Sequence, residues 1–224
     1  MKTIAIVGAG PGLGRSIARR FGTAGHRVAV LGRTPENLDR LTAELRALDI
    51  TTRGYRADVT RPSSLTDALH DADSDLGGID VLVYNPAHAK LPSIPADRIT
   101  PDDVRSEVEQ KVLGAVTAVN TVLPGMLTRG RGSLLFTVGS SALYPVPAIS
   151  AVGIASAGLR SYALSLHHAL APQGVHVGVA VIDLFISRGD GEADPDHIAE
   201  RLYEFHRGDS GAEMKIGHLR EPRP

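Results

Sequence analysis

Gly8-Ala9-Gly10-Pro11-Gly12-Leu13-Gly14 follows the apolar run Ile4-Ala5-Ile6-Val7 and opens a stretch with Leu13, Ile17, Phe21 and Ala24 at helical spacing. Strand, glycine-rich turn, helix: this order decides the fold. Glycines let a backbone turn tightly and approach a pyrophosphate, and a helix N-terminus offers unpaired N–H groups at the positive end of its dipole. Leu13 stands where the third glycine of G-x-G-x-x-G would be, so the spacing is G-x-x-x-G-x-G through Gly8, Gly12 and Gly14, with Gly10 between them. At the first strand–helix turn, this reads as a dinucleotide cradle more readily than as a plain packing turn.

Outward from that turn, apolar runs alternate with helical patterns. Val28-Ala29-Val30-Leu31 is a second strand, and Leu38, Leu41, Leu45 and Leu48 form a helical stripe. Residues 51–57 are a weaker strand, and Leu65, Ala68, Leu69 and Ala72 mark a third helix. Residues 79–84, 133–138, 175–182 and 212–216 read as further strands, with long helices over 101–127 and 148–170 and a last one through Ile198, Leu202 and Phe205. Strands apolar on both faces belong to sheets covered on both sides, and strand–helix alternation gives right-handed parallel crossovers. The expectation is one α/β domain over 1–224, a doubly wound Rossmann-type fold of about seven parallel strands. The tail Arg220-Glu221-Pro222-Arg223-Pro224 is expected to fray.

Composition narrows the function. With 24 Lys+Arg against 25 Asp+Glu the net charge is −1, which argues against holding nucleic acid through phosphate contacts. No run approaches the ~20 apolar residues of a membrane span. Cysteine is absent, which excludes disulfides and thiolate chemistry, and no histidine pair has zinc spacing, so no metal is expected. Met1-Lys2-Thr3 leads straight into a strand, which reads as a soluble, cytoplasmic protein. The second strand ends at Leu31-Gly32-Arg33-Thr34 without the acid that holds a free ribose 2′-hydroxyl. Arg33 has the fork geometry for a 2′-phosphate, which favours NADP(H) over NAD(H).

The turn, the order of elements and the length together resemble the short-chain dehydrogenase/reductase family over nearly the whole chain. The resemblance implies the same NADP(H) preference. It implies that Asp58 and Val59 lie beside the adenine ring, and that Val81-Leu82-Val83-Tyr84-Asn85-Pro86-Ala87 ends at the nicotinamide side, through Asn85 and Ala87. It also implies an active site of Asn, Ser, Tyr and Lys. Here three of these four differ: Lys111 falls at the Asn position, Val152 at the Tyr and Ser156 at the Lys. The serine stands as Ser140, or Ser141 under a one-residue gap. Valine transfers no proton and serine carries no cation, so another group must serve. Lys111 lies on an apolar stripe with Val104, Val108, Ala115 and Ala118; it either turns its ammonium into the site or snorkels past the stripe to solvent. Tyr144 and Tyr84 are phenol candidates, Asp183 a polar anchor or turn residue, and His88 a loop residue expected to be solvated.

The expected catalytic set is therefore Ser140, Lys111 and Tyr144. The expected function is an atypical NADP(H)-dependent oxidoreductase for a small carbonyl or alcohol. The alternatives are an isomerase, dehydratase or cyclase on the same scaffold, or an inactive protein that senses NADP(H). Residues 188–194 are too short for a helical lid, so the pocket is expected to be open or completed by another subunit. The long helices, with Ala155, Leu159, Tyr162, Leu166 and Ala169 in step, are expected to pair chains into a homodimer or homotetramer.

Overall fold

The computed structural model describes residues 1–88, 91–189, 191–208 and 211–218; the tail expected to fray lies outside them. Seven strands form one sheet: β1 Thr3–Val7, β2 Arg27–Gly32, β3 Thr52–Arg56, β4 Val81–Tyr84, β5 Gly132–Gly139, β6 Val175–Asp183 and β7 Glu213–Gly217. Every pairing is parallel and the order is β3-β2-β1-β4-β5-β6-β7. The order reverses between β1 and β4, where a crevice opens at the carboxyl ends of the strands.

Alternate strand residues feed two cores. Ala5, Val7, Leu82, Tyr84, Leu134 and Phe136 point to one face, covered by α3 (Pro62–Leu76), α5 (Gly114–Thr128) and α6 (Ser150–Leu170). Ile4, Ile6, Val28, Val30, Val81 and Val83 point to the other, covered by α1 (Leu13–Thr23), α2 (Pro35–Arg46) and α7 (Pro195–Arg207). All five β1 residues are buried, which is why that strand reads as an unbroken apolar run.

The helix expected over 101–127 is interrupted. α4 (Pro101–Val108) begins at a Thr100/Asp103 capping box, and a π-helical turn at Glu109–Leu113 separates it from α5. Gly114 N–H bonds Glu109 O five residues back, the signature of that turn. A Cβ on Gly114 would lie 2.2 Å from the Tyr84 hydroxyl, which donates to Gln110 O at 2.5 Å. Periodicity does not reveal such a turn, because one extra residue shifts the apolar phase by less than a third of a helical circuit. By length and composition 101–128 is apolar enough to cross a membrane; in the fold Ala115, Ala118, Val119, Val122 and Met126 of this stretch are buried on the sheet.

Four of the in-step residues of α6 face inward as well. Ala155 and Leu159 are buried, and Tyr162 and Leu166 pack partly against the core. Those four residues therefore belong to the sheet-covering face, while Ala169 is exposed; Leu113, Leu127 and Ile154 are the large apolar residues that the turn before α5, α5 and α6 leave exposed.

At the far edge of the second core, His206 sits among Phe21, His26 and Tyr203 with its Nδ1 unbonded. Burial, followed by the nearby His26, Lys2, His176 and Arg207, lowers its pKa to about 4. A histidine that resists protonation when folded stabilises the fold above its unfolded pKa near 6.5, and that stability is lost as pH falls toward 4. Denaturant unfolding is expected to show about 2 kcal/mol less stability from this residue at pH 5 than at pH 7. The excess slope over His206→Leu measures it; equal slopes refute it.

Candidate active site

The glycine turn is held from both sides. Gly8 N–H and Ala9 N–H both donate to Leu31 O, at 3.0 and 3.1 Å, and Arg15 N–H closes the turn on Gly10 O at 2.9 Å. Gly8 has φ +86°, and a Cβ there would sit 2.5 Å from the Asn85 carbonyl oxygen. A Cβ on Gly14 would lie 2.8 Å from Ala9 Cα, so that glycine lets α1 close on the turn. Gly10 and Gly12 differ: no atom lies within 4 Å of a Cβ built on either. Their open side, the first-turn amides of α1 and the lack of an acidic side chain in that turn leave a cradle that suits a diphosphate. No side chain blocks the bend.

Around the cradle stand the remaining nucleotide candidates. Arg33 is exposed just past β2. Asp58 follows β3 and accepts from Thr60 N at 3.0 Å and Thr60 Oγ1 at 2.8 Å. Burial pushes its carboxyl pKa up, but these bonds and the charges of Arg33 and Arg61 outweigh that and hold it below the ordinary range. Val59 is partly buried, and its carbonyl oxygen would meet a Cβ on Gly114 at 2.8 Å. Sequence reasoning missed further basic groups here: Arg15, directly after Gly14, and Arg40 line a hollow of about 300 Å3 beside Gly10 and Pro11, with Arg15 paired to Glu44 at 2.8 Å.

Next to the cradle lies a cavity of about 670 Å3. Leu13, Asn85 and Ala87 border it on the nucleotide side, and Lys111, Ser140 and Ser141 line it. Asn85 is fixed by its amide: Thr137 Oγ1 donates to Oδ1 at 2.7 Å, and Nδ2 donates to Gly8 O at 3.4 Å. Val152 and Ser156 line the cavity too, at the positions where the resemblance implies Tyr and Lys. Both are buried, so the wall where a phenol and an ammonium were implied carries a methyl pair and a hydroxyl.

The two tyrosine candidates are not in this cavity. Tyr144 is partly buried in the loop after β5, its N–H bonded to Ser140 O at 2.9 Å, and it is not a lining residue. Tyr84 is fully buried and bonded to Gln110 O, and burial pushes its hydroxyl above the ordinary tyrosine range. It supports the π-helical turn from below. Asp183 does line the cavity, at the end of β6.

Lys111 does not snorkel outward. Its side chain is 13% exposed, and Nζ lies 3.7 Å from Glu107 Oε2. Glu107 is itself buried, with His88 Nε2 2.7 Å from Oε1. Burial lowers the Lys111 pKa, and the Glu107 charge pulls it only part of the way back. His88 is therefore engaged rather than solvated. Glu107 was missed by the sequence reading, although one signal was available: it precedes Lys111 by four residues, the spacing that puts two helical side chains on one face.

The mouth is apolar and open. Phe185 is 95% exposed, and Leu91 and Ile186 also line the rim with large exposed surfaces. Beyond it, the described part of the short segment holds one tight turn, Gly191–Ala193, tied by Ser187 N–H to Ala193 O at 3.0 Å and Gly189 N–H to Asp194 Oδ2 at 2.6 Å. No helical lid forms among the described residues.

Comparison with known proteins agrees with this geometry. The profile of the family described as short chain dehydrogenase matches residues 2–186. The chain is 30% identical over 214 residues to oxidoreductase asL5 of Sarocladium schorii, covering 95% of this chain and 78% of that protein. It is 29% identical over 174 residues to the NADP-dependent 3-hydroxy acid dehydrogenase YdfG of Salmonella typhi, covering 78% and 68%. The crystal structure of a short-chain dehydrogenase from Rhodopseudomonas palustris superposes with a TM-score of 0.85 at 25% identity, over 97% of this chain and 98% of that one. The family match runs from the first strand to the cavity rim and takes in both the glycine cradle and Ser140: the chain belongs to the short-chain dehydrogenase/reductase family.

Proposed function

We propose that the protein is an NADP(H)-dependent oxidoreductase acting on a small carbonyl or alcohol. The observation that carries this is the adjacency of the open Gly10/Gly12 cradle to a cavity lined by both Ser140 and Lys111. Gly8, Gly10, Gly12, Leu13 and Gly14 hold the diphosphate, Arg33 the 2′-phosphate, Asp58 and Val59 the adenine, and Asn85 and Ala87 the nicotinamide side. The bound nucleotide supplies or accepts the hydride. Ser140 binds the substrate oxygen, and Lys111 places positive charge near it, where negative charge develops. The apolar walls and the exposed Phe185 and Leu91 suit a substrate with a hydrocarbon body. The NADP-dependence in the name of the Salmonella relative supports the choice of nucleotide. Pairing of chains through the outer sides of α5 and α6, at Leu113 and Ile154, is part of the same proposal, with Ile154→Asp expected to shift the mass in light scattering to the monomer.

The loss of Tyr and Lys at Val152 and Ser156 favours one second reading, a non-redox reaction on the same scaffold. It is distinguished by product that forms without net NADPH consumption.

Fluorescence titration is expected to show NADPH binding more tightly than NADH, with Arg33→Ala removing most of the difference. Gly10→Val is expected to weaken NADPH by at least about tenfold, ~1.4 kcal/mol, with a smaller loss of melting temperature than Gly8→Ala. Gly8→Ala, forced to positive φ and against Asn85, is expected to cost more than about 1 kcal/mol of stability instead. Protein that binds neither nucleotide refutes the reading. With a turned-over carbonyl, Ser140→Ala is expected to lower kcat/KM by about a hundredfold; an unchanged value removes Ser140 from the site.

A further inference from the structure

We propose that His88, Glu107 and Lys111 form the proton-delivery unit of this site, with Lys111 Nζ exchanging the proton with the substrate oxygen and His88 returning it from solvent through the Glu107 carboxylate. The proposal deepens the oxidoreductase reading and rests on it for the reaction served.

Four observations carry it. Glu107 is a buried carboxylate, and such a group is retained only with cations or donors against it. Each oxygen has a basic group within ion-pair range, though neither contact is aligned as a hydrogen bond: His88 Nε2 lies 2.7 Å from Oε1 and Lys111 Nζ 3.7 Å from Oε2. The three side chains come from two elements, the loop after β4 and α4 with its π-helical turn, so they are not a surface pair formed by chance of spacing. The unit also bridges two spaces. Lys111 and His88 line the 670 Å3 cavity, while His88 and Glu107 line a second hollow of about 140 Å3 with Asp103 and Ser106. Asp103 and Ser106 lie at the exposed side of α4, so His88 has one wall toward substrate and one toward water.

Among the described lining residues of the main cavity, the alternatives are weaker. Val152 has no proton, the hydroxyls of Ser140, Ser141, Ser156 and Thr137 are poor acids, and His88, which also lines the cavity, turns its Nε2 to Glu107 at 2.7 Å. The burial that lowers the Lys111 pKa makes its ammonium a better acid than an exposed lysine. With a reduced nicotinamide nucleotide bound, the hydride it would supply to the carbonyl carbon would move the C–O π pair to oxygen. That oxygen takes the proton from Nζ, which leaves Lys111 a neutral amine. Glu107 passes Lys111 a proton received from His88, and His88 takes one from water. The oxidising direction runs each transfer in reverse. Asp183 and Ser140 on the cavity side, Asp103 beside the outer hollow, and His88 and Glu107 themselves are the titratable or polar groups that face this path. Glu107 is the positioning residue: it touches no substrate.

The free protein gives the first test. Its lysines are Lys2, Lys90, Lys111 and Lys215. After reductive 13C-methylation, the Lys111 methyl signal is expected to lose its proton at lower pH than those of Lys2 and Lys215. Glu107→Gln is expected to move that midpoint lower still, by about tenfold in proton affinity. If Lys111 titrates with the exposed lysines, or ignores Glu107→Gln, the unit does not exist. Should Glu107→Gln not fold, Glu107→Asp gives the same reading with a smaller displacement.

The second test is turnover. His88→Gly is expected to lower kcat by about a hundredfold, with the NADPH affinity unchanged, and added imidazole is expected to restore much of it. Undiminished kcat, or loss that imidazole does not rescue, overturns the role of His88. A wild-type protein that binds NADPH but consumes none with any carbonyl or alcohol defeats the oxidoreductase reading; the lysine titration then still decides whether the unit is real.

Discussion

A backbone contact governs the site. Residue 8 passes so close to the Asn85 carbonyl that a Cβ would lie 2.5 Å from it, and its φ of +86° suits only glycine. That approach locks the end of β1 against the end of β4 where the sheet changes direction. Asn85 then reaches both ways, donating from Nδ2 to Gly8 O and accepting at Oδ1 from Thr137 on β5. Three neighbouring strand ends are thus tied by one amide. The turn above them cannot relax toward the sheet, so Gly10 and Gly12 stay open to ligand. Thr137 is carried to the cavity wall three residues before Ser140. The nucleotide cradle and the substrate cavity are consequences of the same close approach.

The electrostatics of the cavity follow from a different constraint. α4 must change phase before it becomes α5, and the π-helical turn does this at Glu109–Leu113. Tyr84 from below and Gly114 beside it fix where the change occurs. Lys111 falls within that turn and lines the cavity, where its side chain is 13% exposed. A lone ammonium there would be costly; the Glu107 carboxylate one turn back offsets that cost, and His88 offsets the cost of burying Glu107. Each member of the cluster therefore explains the next, and none of them is explained by packing alone.

The layering and the strand–helix alternation were legible because they depend on local pattern, apolar runs of strand length and helical stripes with glycines at a junction; the strand order β3-β2-β1-β4-β5-β6-β7 is set by non-local pairing and was not. The stripe on α6 was equally visible, yet regular small and apolar spacing marks the face on the sheet as well as any face between chains, and Ala155 and Leu159 proved to be the former. What the sequence hid was three-dimensional. Tyr144 is four residues from Ser140, yet it is not among the residues that line the cavity. His88 looked solvated because nothing near it in the chain holds a partner; its partner arrives from a helix some twenty positions later. Glu107 was in view at i−4 of Lys111 and was overlooked because a charged residue at a helix's polar edge normally faces water.

The cavity also bears on how far the departure from the family pattern reaches. Val152 and Ser156 are not displaced from the wall where the resemblance implies Tyr and Lys; they occupy it, buried and facing the same space. The backbone of α6 therefore still presents the implied positions, and the change is one of chemistry rather than of shape. A valine in place of a tyrosine frees volume in front of Ser140, and a serine in place of a lysine removes a cation. On the opposite side of that volume Lys111 returns a cation, with a carboxylate behind it to tune its proton affinity. In the proposed site the cation therefore stands on the α4–α5 side, while Ser140 and the glycine turn occupy the positions that the resemblance implies. A substrate oxygen held by Ser140 would then meet its proton source from the α4–α5 side, across a wider and more apolar chamber whose open rim at Leu91 and Phe185 admits a hydrocarbon group.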